Sequence, residues 1–372
     1  MRCHPRDVTK YRITSALAAA ALATGLAACG SSSSSSSSSG GSSGGGGSAT
    51  LNGAGSTFAA PIYQEVGSRL KGQGVTVNYQ PVGSGAGVSQ FTSGTSDFAG
   101  SDPALKPAEA QAASKQGGPP VQIPFAFGAI TVSYNLPGVQ KGLKLDGQTV
   151  ANLYLGKITS WNDPAIAKQN PGVKLPSTKV TIVHRSDSSG TTKGFAQFLA
   201  DYSPAWKSGP GVDKTVKWPT GTGAKGNDGV AAAVKQTTGT VGYVEQAYAL
   251  QNNFTYADVK NKAGKYVTPT LAAVTAAGEG ITIPNDLGIG IIDGANPAEY
   301  PISSQTFVIF HSDLCKGGLR KADAAGVKTF VDYLLGDGQN VLKQLSYAPI
   351  PAALVAKDKA AAAKLTCNGA AL

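Results

Sequence analysis

The chain has 372 residues, of which 15% are charged and 48 are glycine, with a formal net charge of +10. That length accommodates two ordinary domains with real cores, and so low a charged fraction excludes a charge-driven disordered chain over most of its span. Without residues 1–28 the balance is 28 basic to 21 acidic residues, a diffuse positive field that favours anions and, lacking a basic run interleaved with aromatics, gives no footing for nucleic acid.

The first 28 residues read as a targeting segment. Arg2, Arg6, Lys10 and Arg12 make a basic start, and Ile13 to Ala28 is an Ala/Leu-rich run of 16 residues, short for a membrane span. It ends in Leu26-Ala27-Ala28-Cys29, which resembles the bacterial lipoprotein signal and implies Cys29 as the lipidated N-terminus. Ser31 to Ser39 is unbroken serine, and Gly/Ser continues to Ser48. Residues 29–48 are therefore expected to form a flexible tether with an r.m.s. reach of about 25 Å. The folded body starts near Ala49, outside the cytoplasm and close to a membrane surface.

From there, strand and helix signals alternate. Gly53-Ala54-Gly55-Ser56-Thr57-Phe58 precedes a stripe of Phe58, Ile62, Val66 and Leu70, and Pro61 fits only a first turn, so a helix is expected to start near Ser56 or Thr57. Val75 to Tyr79 alternates as a strand and leads into Gly83-Ser84-Gly85-Ala86-Gly87, before Val88 and Phe91. Ala129 to Tyr134 is a further strand. Val180 to Val183 is another, followed by Arg185-Ser186-Asp187-Ser188-Ser189-Gly190-Thr191-Thr192 and a helical pattern with Phe195, Phe198 and Leu199. Gly226-Asn227-Asp228-Gly229 precedes the helical run Val230 to Val234; Val241 to Val244 and Thr306 to Phe310 are later strands. Residues 322–365 read as helical, with one amphipathic face over Val327, Phe330, Val331, Leu334 and Leu335 and another over Ala352 to Leu365.

Four Gly/Ser/Thr-rich loops thus open four helices. A helix start leaves backbone N–H groups without partners and favours negative charge. With hydroxyls and one guanidinium added, such a loop becomes a cradle for a small oxyanion. Four loops converge on one ligand in an α/β fold whose strand C-termini line a crevice. Pro124-Phe125 and Tyr300-Pro301-Ile302 are candidate boundaries; if the chain leaves one domain near 124 and returns near 301, two such crossings give a hinge with a cleft. The expected division is 49–124 and 302–372 as one domain and 125–301 as the other.

Cys3 falls in the removed segment and Cys29 takes the lipid, so Cys315 and Cys367 are left as a pair in an oxidising compartment, where a disulfide is the default. His184 and His311 are isolated at strand ends, and no Cys/His spacing suits a metal. Neither a metal nor a cofactor is expected.

The chain resembles the phosphate-binding proteins of bacterial phosphate-specific ABC transporters from about Leu51 to its C-terminus. The residues that carry this are Gly53 to Phe58, Asp97-Phe98-Ala99-Gly100-Ser101-Asp102, Tyr154 to Ile158 with Trp161-Asn162-Asp163, Arg185 to Thr191, and Gly226 to Gly229 with Gly242-Tyr243-Val244-Glu245. The resemblance implies a two-domain periplasmic-binding-protein type II fold of α/β class, closing by a hinge on an interdomain cleft. It implies phosphate bound by the Thr57 hydroxyl and N–H, the Phe58 N–H, the Ser84 hydroxyl and N–H, and Ser189, Gly190 and Thr191. Arg185 would be the cation in contact, held by Asp187, and Asp102 the single acceptor facing a phosphate hydroxyl. Gly85, serine in some family members, would offer its N–H. Trp161-Asn162-Asp163-Pro164 is read as a turn and helix cap with no ligand role.

The implied function is binding of inorganic phosphate, with arsenate as an analogue, by a monomeric, lipid-anchored receptor that delivers it to membrane permease subunits. It is not an enzyme on this reading. The alternatives are the same fold tuned to another oxyanion, a Ser-dependent phosphatase or hydrolase using Ser189, and a surface antigen with a vestigial cleft.

Overall fold

The computed structural model describes residues 48–372. The targeting segment, Cys29 and the tether up to residue 47 lie outside the described residues. The main sheet is built from β1 (Ala49–Gly55), β2 (Val75–Gln80), β3 (Phe98–Ser101), β4 (Pro120–Tyr134), β5 (Thr181–Arg185), β6 (Thr222–Ala224), β7 (Thr240–Glu245) and β8 (Ser303–His311).

Its order is β2-β1-β3-β8-β4-β7-β5-β6, with the short strand Thr255–Tyr256 added on β4. β1 pairs in parallel with β2 and β3, and β5 pairs in parallel with β6 and β7. β8 runs antiparallel to β3, and β4 antiparallel to β7. Each half of the sheet therefore repeats one pattern: three parallel strands, then one antiparallel strand. β4 and β8 pair with each other over most of their length. Their register breaks once, where Thr306 faces Ala126 and Phe307 faces Pro124, leaving Phe125 as a bulge.

The helices that matter to the site follow strand C-termini: α1 (Ala60–Lys71), α2 (Ser84–Thr92), α3 (Gly190–Tyr202) and α4 (Gly226–Gln236). The predicted stripe Phe58, Ile62, Val66 and Leu70 is buried, and burial of each such side chain contributes about 1.5–3 kcal/mol. α1 starts later than expected, at Ala60, with Pro61 in its first turn. Residues 56–59 are held as a bend because the Ser56 N–H pairs with the Gly100 carbonyl, prolonging the β1–β3 ladder. α2 and α4, by contrast, begin inside their glycine loops, at Ser84 and Gly226.

The C-terminal region forms α5 (Lys321–Leu335), α6 (Gly338–Gln344) and α7 (Ala352–Ala362). α5 buries its predicted face. α7 does not behave as expected: it ends at Ala362 and buries only Leu354 and Asp358. Alanine supplies little apolar area, so its run there makes a helix without making a core face. Cys315 and Cys367 form a disulfide with Cα atoms 4.7 Å apart. No helix among the described residues is long and apolar enough to cross a membrane.

Candidate functional site

The segments that follow β1, β2 and β3, with the end of β5 and the segment after it, bring Thr57, Phe58, Ser84, Asp102, Arg185, Ser189, Gly190 and Thr191 into one buried cluster. Arg185 is 2% exposed, and its Nε and Nη2 grip Asp187 at 2.7 and 2.5 Å. That bidentate pair fixes the plane of the guanidinium and leaves its Nη1 side toward Thr191, at 3.4 Å. Asp187 is anchored in turn by the Gly226 N–H at 3.1 Å. Although burial alone would raise it, the pairing with Arg185 holds its carboxyl below the ordinary range.

Asp102 is the second fixed charge. Its Oδ1 accepts from Ser56 Oγ at 2.5 Å and from Thr306 Oγ1 at 3.0 Å. Its Oδ2 receives only Ser84 Oγ, at 3.5 Å, so this oxygen keeps accepting capacity. Burial pushes the carboxyl up to about 6, against the lowering effect of its hydroxyl donors and of Arg185. A Cβ at position 190 would collide with Asp102 Oδ2 and Ser84 Oγ, so only glycine lets the start of α3 approach this carboxylate.

The hydroxyls share one habit. Thr57 Oγ1 accepts from the Asn227 N–H at 3.2 Å and from Asn227 Nδ2 at 2.8 Å. Ser189 Oγ caps α3 by accepting the Thr192 N–H at 3.0 Å. Thr191 Oγ1 accepts from Arg185. Each is thereby used as an acceptor and left with its own proton to donate. At the start of α3 the N–H groups of Gly190 and Thr191 have no intrahelical acceptor by geometry. The site can thus present many donors, one cation and one carboxylate oxygen to a single small ligand.

Two expected backbone donors are engaged differently. The Phe58 N–H donates to Ser56 Oγ at 3.0 Å. The Gly85 N–H donates to the Ser188 carbonyl at 2.9 Å, and a Cβ at position 85 would strike the Ser188 side chain. Gly85 therefore joins two loops and contributes no free donor, which corrects its expected role.

Sequence reasoning gave no site role to Ser56, Asn227, Glu245, Gln305, Thr306 or Tyr347. Gln305 Nε2 holds the Asp102 carbonyl at 2.7 Å. Tyr248 donates to the Thr57 carbonyl at 2.7 Å, and the Asn227 Oδ1 accepts the Glu245 N–H at 3.0 Å. These partners lie far apart in the chain; the Gly53–Phe58, Gly226–Gly229 and Gly242–Glu245 motifs contain Ser56, Asn227 and Glu245 without indicating what they meet. Trp161 is buried, with its indole on the Gly239 carbonyl at 2.9 Å, and Asp163 caps a helix, as expected for structural residues. A cavity of about 530 Å³ adjoins the cluster at Asp102 and Gly190 and runs out past Lys193 and Gln197.

The sequence pattern of the PBP superfamily domain matches residues 40–338. The phosphate-binding protein PstS of Pasteurella multocida is 40% identical over 315 residues, covering 84% of this chain and 89% of that protein. The chain belongs to the PstS family of phosphate-binding proteins. Within that family, phosphate-binding protein PstS 3 of Mycobacterium leprae is 39% identical over 290 residues, covering 75% of this chain and 76% of its own. A solved high-affinity periplasmic phosphate-binding protein, PfluDING, bound with phosphate, superposes with a TM-score of 0.69 at 23% identity over 84% of this chain and 93% of that one. This PstS-family chain therefore has the two-domain binding-protein fold.

Proposed function

We propose that this chain is a receptor for inorganic phosphate that works outside the cytoplasm and delivers phosphate to the permease subunits of an ABC transporter. The observation that carries it is the pairing of opposite charges in one buried site: Arg185, clamped by Asp187, and Asp102, with one oxygen left to accept. A protonated tetrahedral anion satisfies both. The relatives' names support the same reading.

We take residues 49–124 with 302–372 as one lobe and 125–301 as the other, hinged beside the Phe125 bulge. Thr57, Ser84 and Asp102, with Phe58 through an N–H that it shares with Ser56 Oγ, would grip the anion from the first lobe, and Arg185, Ser189, Gly190 and Thr191 from the second. Cys29 would carry the lipid, the stretch 29–48 would tether the body, and the protein would act as a monomer. At about −1.5 kcal/mol per heavy atom, the ceiling for very small ligands, phosphate reaches roughly −7.5 kcal/mol, or micromolar, and charge-assisted bonds in a dry cleft extend this.

Binding without turnover is favoured by how the nucleophile candidate is held. Ser189 Oγ caps α3, while the His184 ring stacks on Trp218 at 4.6 Å and its Nδ1 contacts the Arg185 carbonyl. Calorimetry of the folded body with phosphate, arsenate and sulfate tests the reading. Phosphate and arsenate are expected to bind at micromolar concentration or below and sulfate far more weakly; sulfate binding as tightly as phosphate would reassign the ligand.

A further inference from the structure

Asn227, the second residue of α4, is completely buried and lies 170 positions from Thr57 in the chain. Its Oδ1 accepts the Glu245 N–H at 3.0 Å. That contact decides which end of the amide carries hydrogens, since a flipped amide would set N–H against N–H. Nδ2 then points to Thr57 Oγ1 at 2.8 Å and to Thr191 Oγ1 at 3.4 Å. Both of its hydrogens are committed, one to each threonine.

Each threonine oxygen also has a second donor. Thr57 Oγ1 takes the Asn227 backbone N–H at 3.2 Å, and Thr191 Oγ1 takes Arg185 Nη1 at 3.4 Å. A hydroxyl has two lone pairs and one proton. With both lone pairs filled, only the proton remains, and it needs an acceptor.

Building on the phosphate-binding reading, we propose that Asn227 is a positioning residue that sets the donor state of the site. It fills lone pairs on Thr57 and Thr191 so that both hydroxyls can only donate, and it does so across the cleft, joining the loop after β1 to the start of α3. It acts on the anion through these two hydroxyls. Asn227→Asp inverts the arrangement: its carboxylate would draw both threonine protons inward and add a negative charge beside the ligand.

A double-mutant cycle in phosphate calorimetry separates this role from simple packing. Asn227→Ala is expected to weaken phosphate binding roughly tenfold, and Asn227→Asp roughly a hundredfold. In a Thr57→Val, Thr191→Val background, Asn227→Ala should change affinity by less than about twofold, because the hydroxyls it works through are gone. Ligand-free thermal midpoints accompany each variant, and Asn227→Ser carries the same cycle if the alanine variant does not fold. An undiminished cost of Asn227→Ala in the valine background, or wild-type affinity in Asn227→Asp, overturns the assignment while leaving phosphate binding intact. A folded wild type that binds no phosphate overturns the functional reading and this inference with it.

Discussion

The Tyr347 hydroxyl sits between two oxygens, 2.8 Å from Glu245 Oε2 and 2.6 Å from the Phe58 carbonyl. A phenol has one proton, and a carbonyl has none. Satisfying both contacts requires a proton on Glu245, in a relay from Glu245 through Tyr347 to the Phe58 carbonyl. Burial raises the Glu245 carboxyl well above its usual 4.5, the Tyr347 and backbone contacts lower it only in part, and nearby Asp102 adds to the rise.

The sign of the resulting pH effect is definite. A buried acid that stays protonated while the unfolded chain ionises loses stability as pH rises above 4.5, by up to about 1.4 kcal/mol per pH unit. Glu245→Gln cannot ionise. Its thermal midpoint relative to wild type should therefore climb as pH rises above 4.5. A relative midpoint that falls over this range would mean that Glu245 is ionised in the folded protein.

Arg185→Ala should weaken phosphate binding more than Thr57→Ala. The guanidinium meets a charged oxygen in a dry cleft, whereas Thr57 loses one neutral donor and keeps its backbone N–H. Losses of roughly a hundredfold or more against about tenfold are expected in side-by-side titrations. Equal losses would place Arg185 outside contact with the anion.

Asp102 should separate phosphate from sulfate. Phosphate offers a proton to Oδ2 near neutral pH, and sulfate offers only lone pairs. Asp102→Asn, whose amide can turn its hydrogens toward the anion, should gain sulfate affinity. Because burial raises this carboxyl to about 6, the wild type should also lose discrimination as pH falls through 6. Sulfate competition measured in both proteins across that range decides the matter, and a variant with no gain in sulfate affinity refutes the role.

The Cys315–Cys367 bond closes a loop of 52 residues and should stabilise the fold by roughly 4 kcal/mol in the chain-entropy estimate. Denaturant titration with and without reductant measures it. Phosphate affinity should survive reduction, because Cys315 lies beyond the end of β8 remote from Thr306.

Much of this protein is local and therefore readable from its residues. The stripe Phe58, Ile62, Val66, Leu70, the alternating strand from Val75 and the Ser189 cap each depend on neighbours a few positions away. The glycine loops that open α2, α3 and α4 are marked in the same way. Boundaries were less secure where a long-range bond intervened: the Ser56–Gly100 pairing delays α1 to Ala60. The run at 352–362 misled for the opposite reason, since alanine periodicity says little about burial. Tertiary structure alone decided that Ser56 and Thr306 saturate one oxygen of Asp102, that Ser188 takes the Gly85 N–H, and that Asn227 faces two threonines. The bonds that Ser56 and Thr306 make to Asp102 and that Asn227 makes to Thr57 join residues 46 to 204 positions apart. A donor's role there depends on which acceptor the folded sheet carries to it, and no local pattern encodes that encounter.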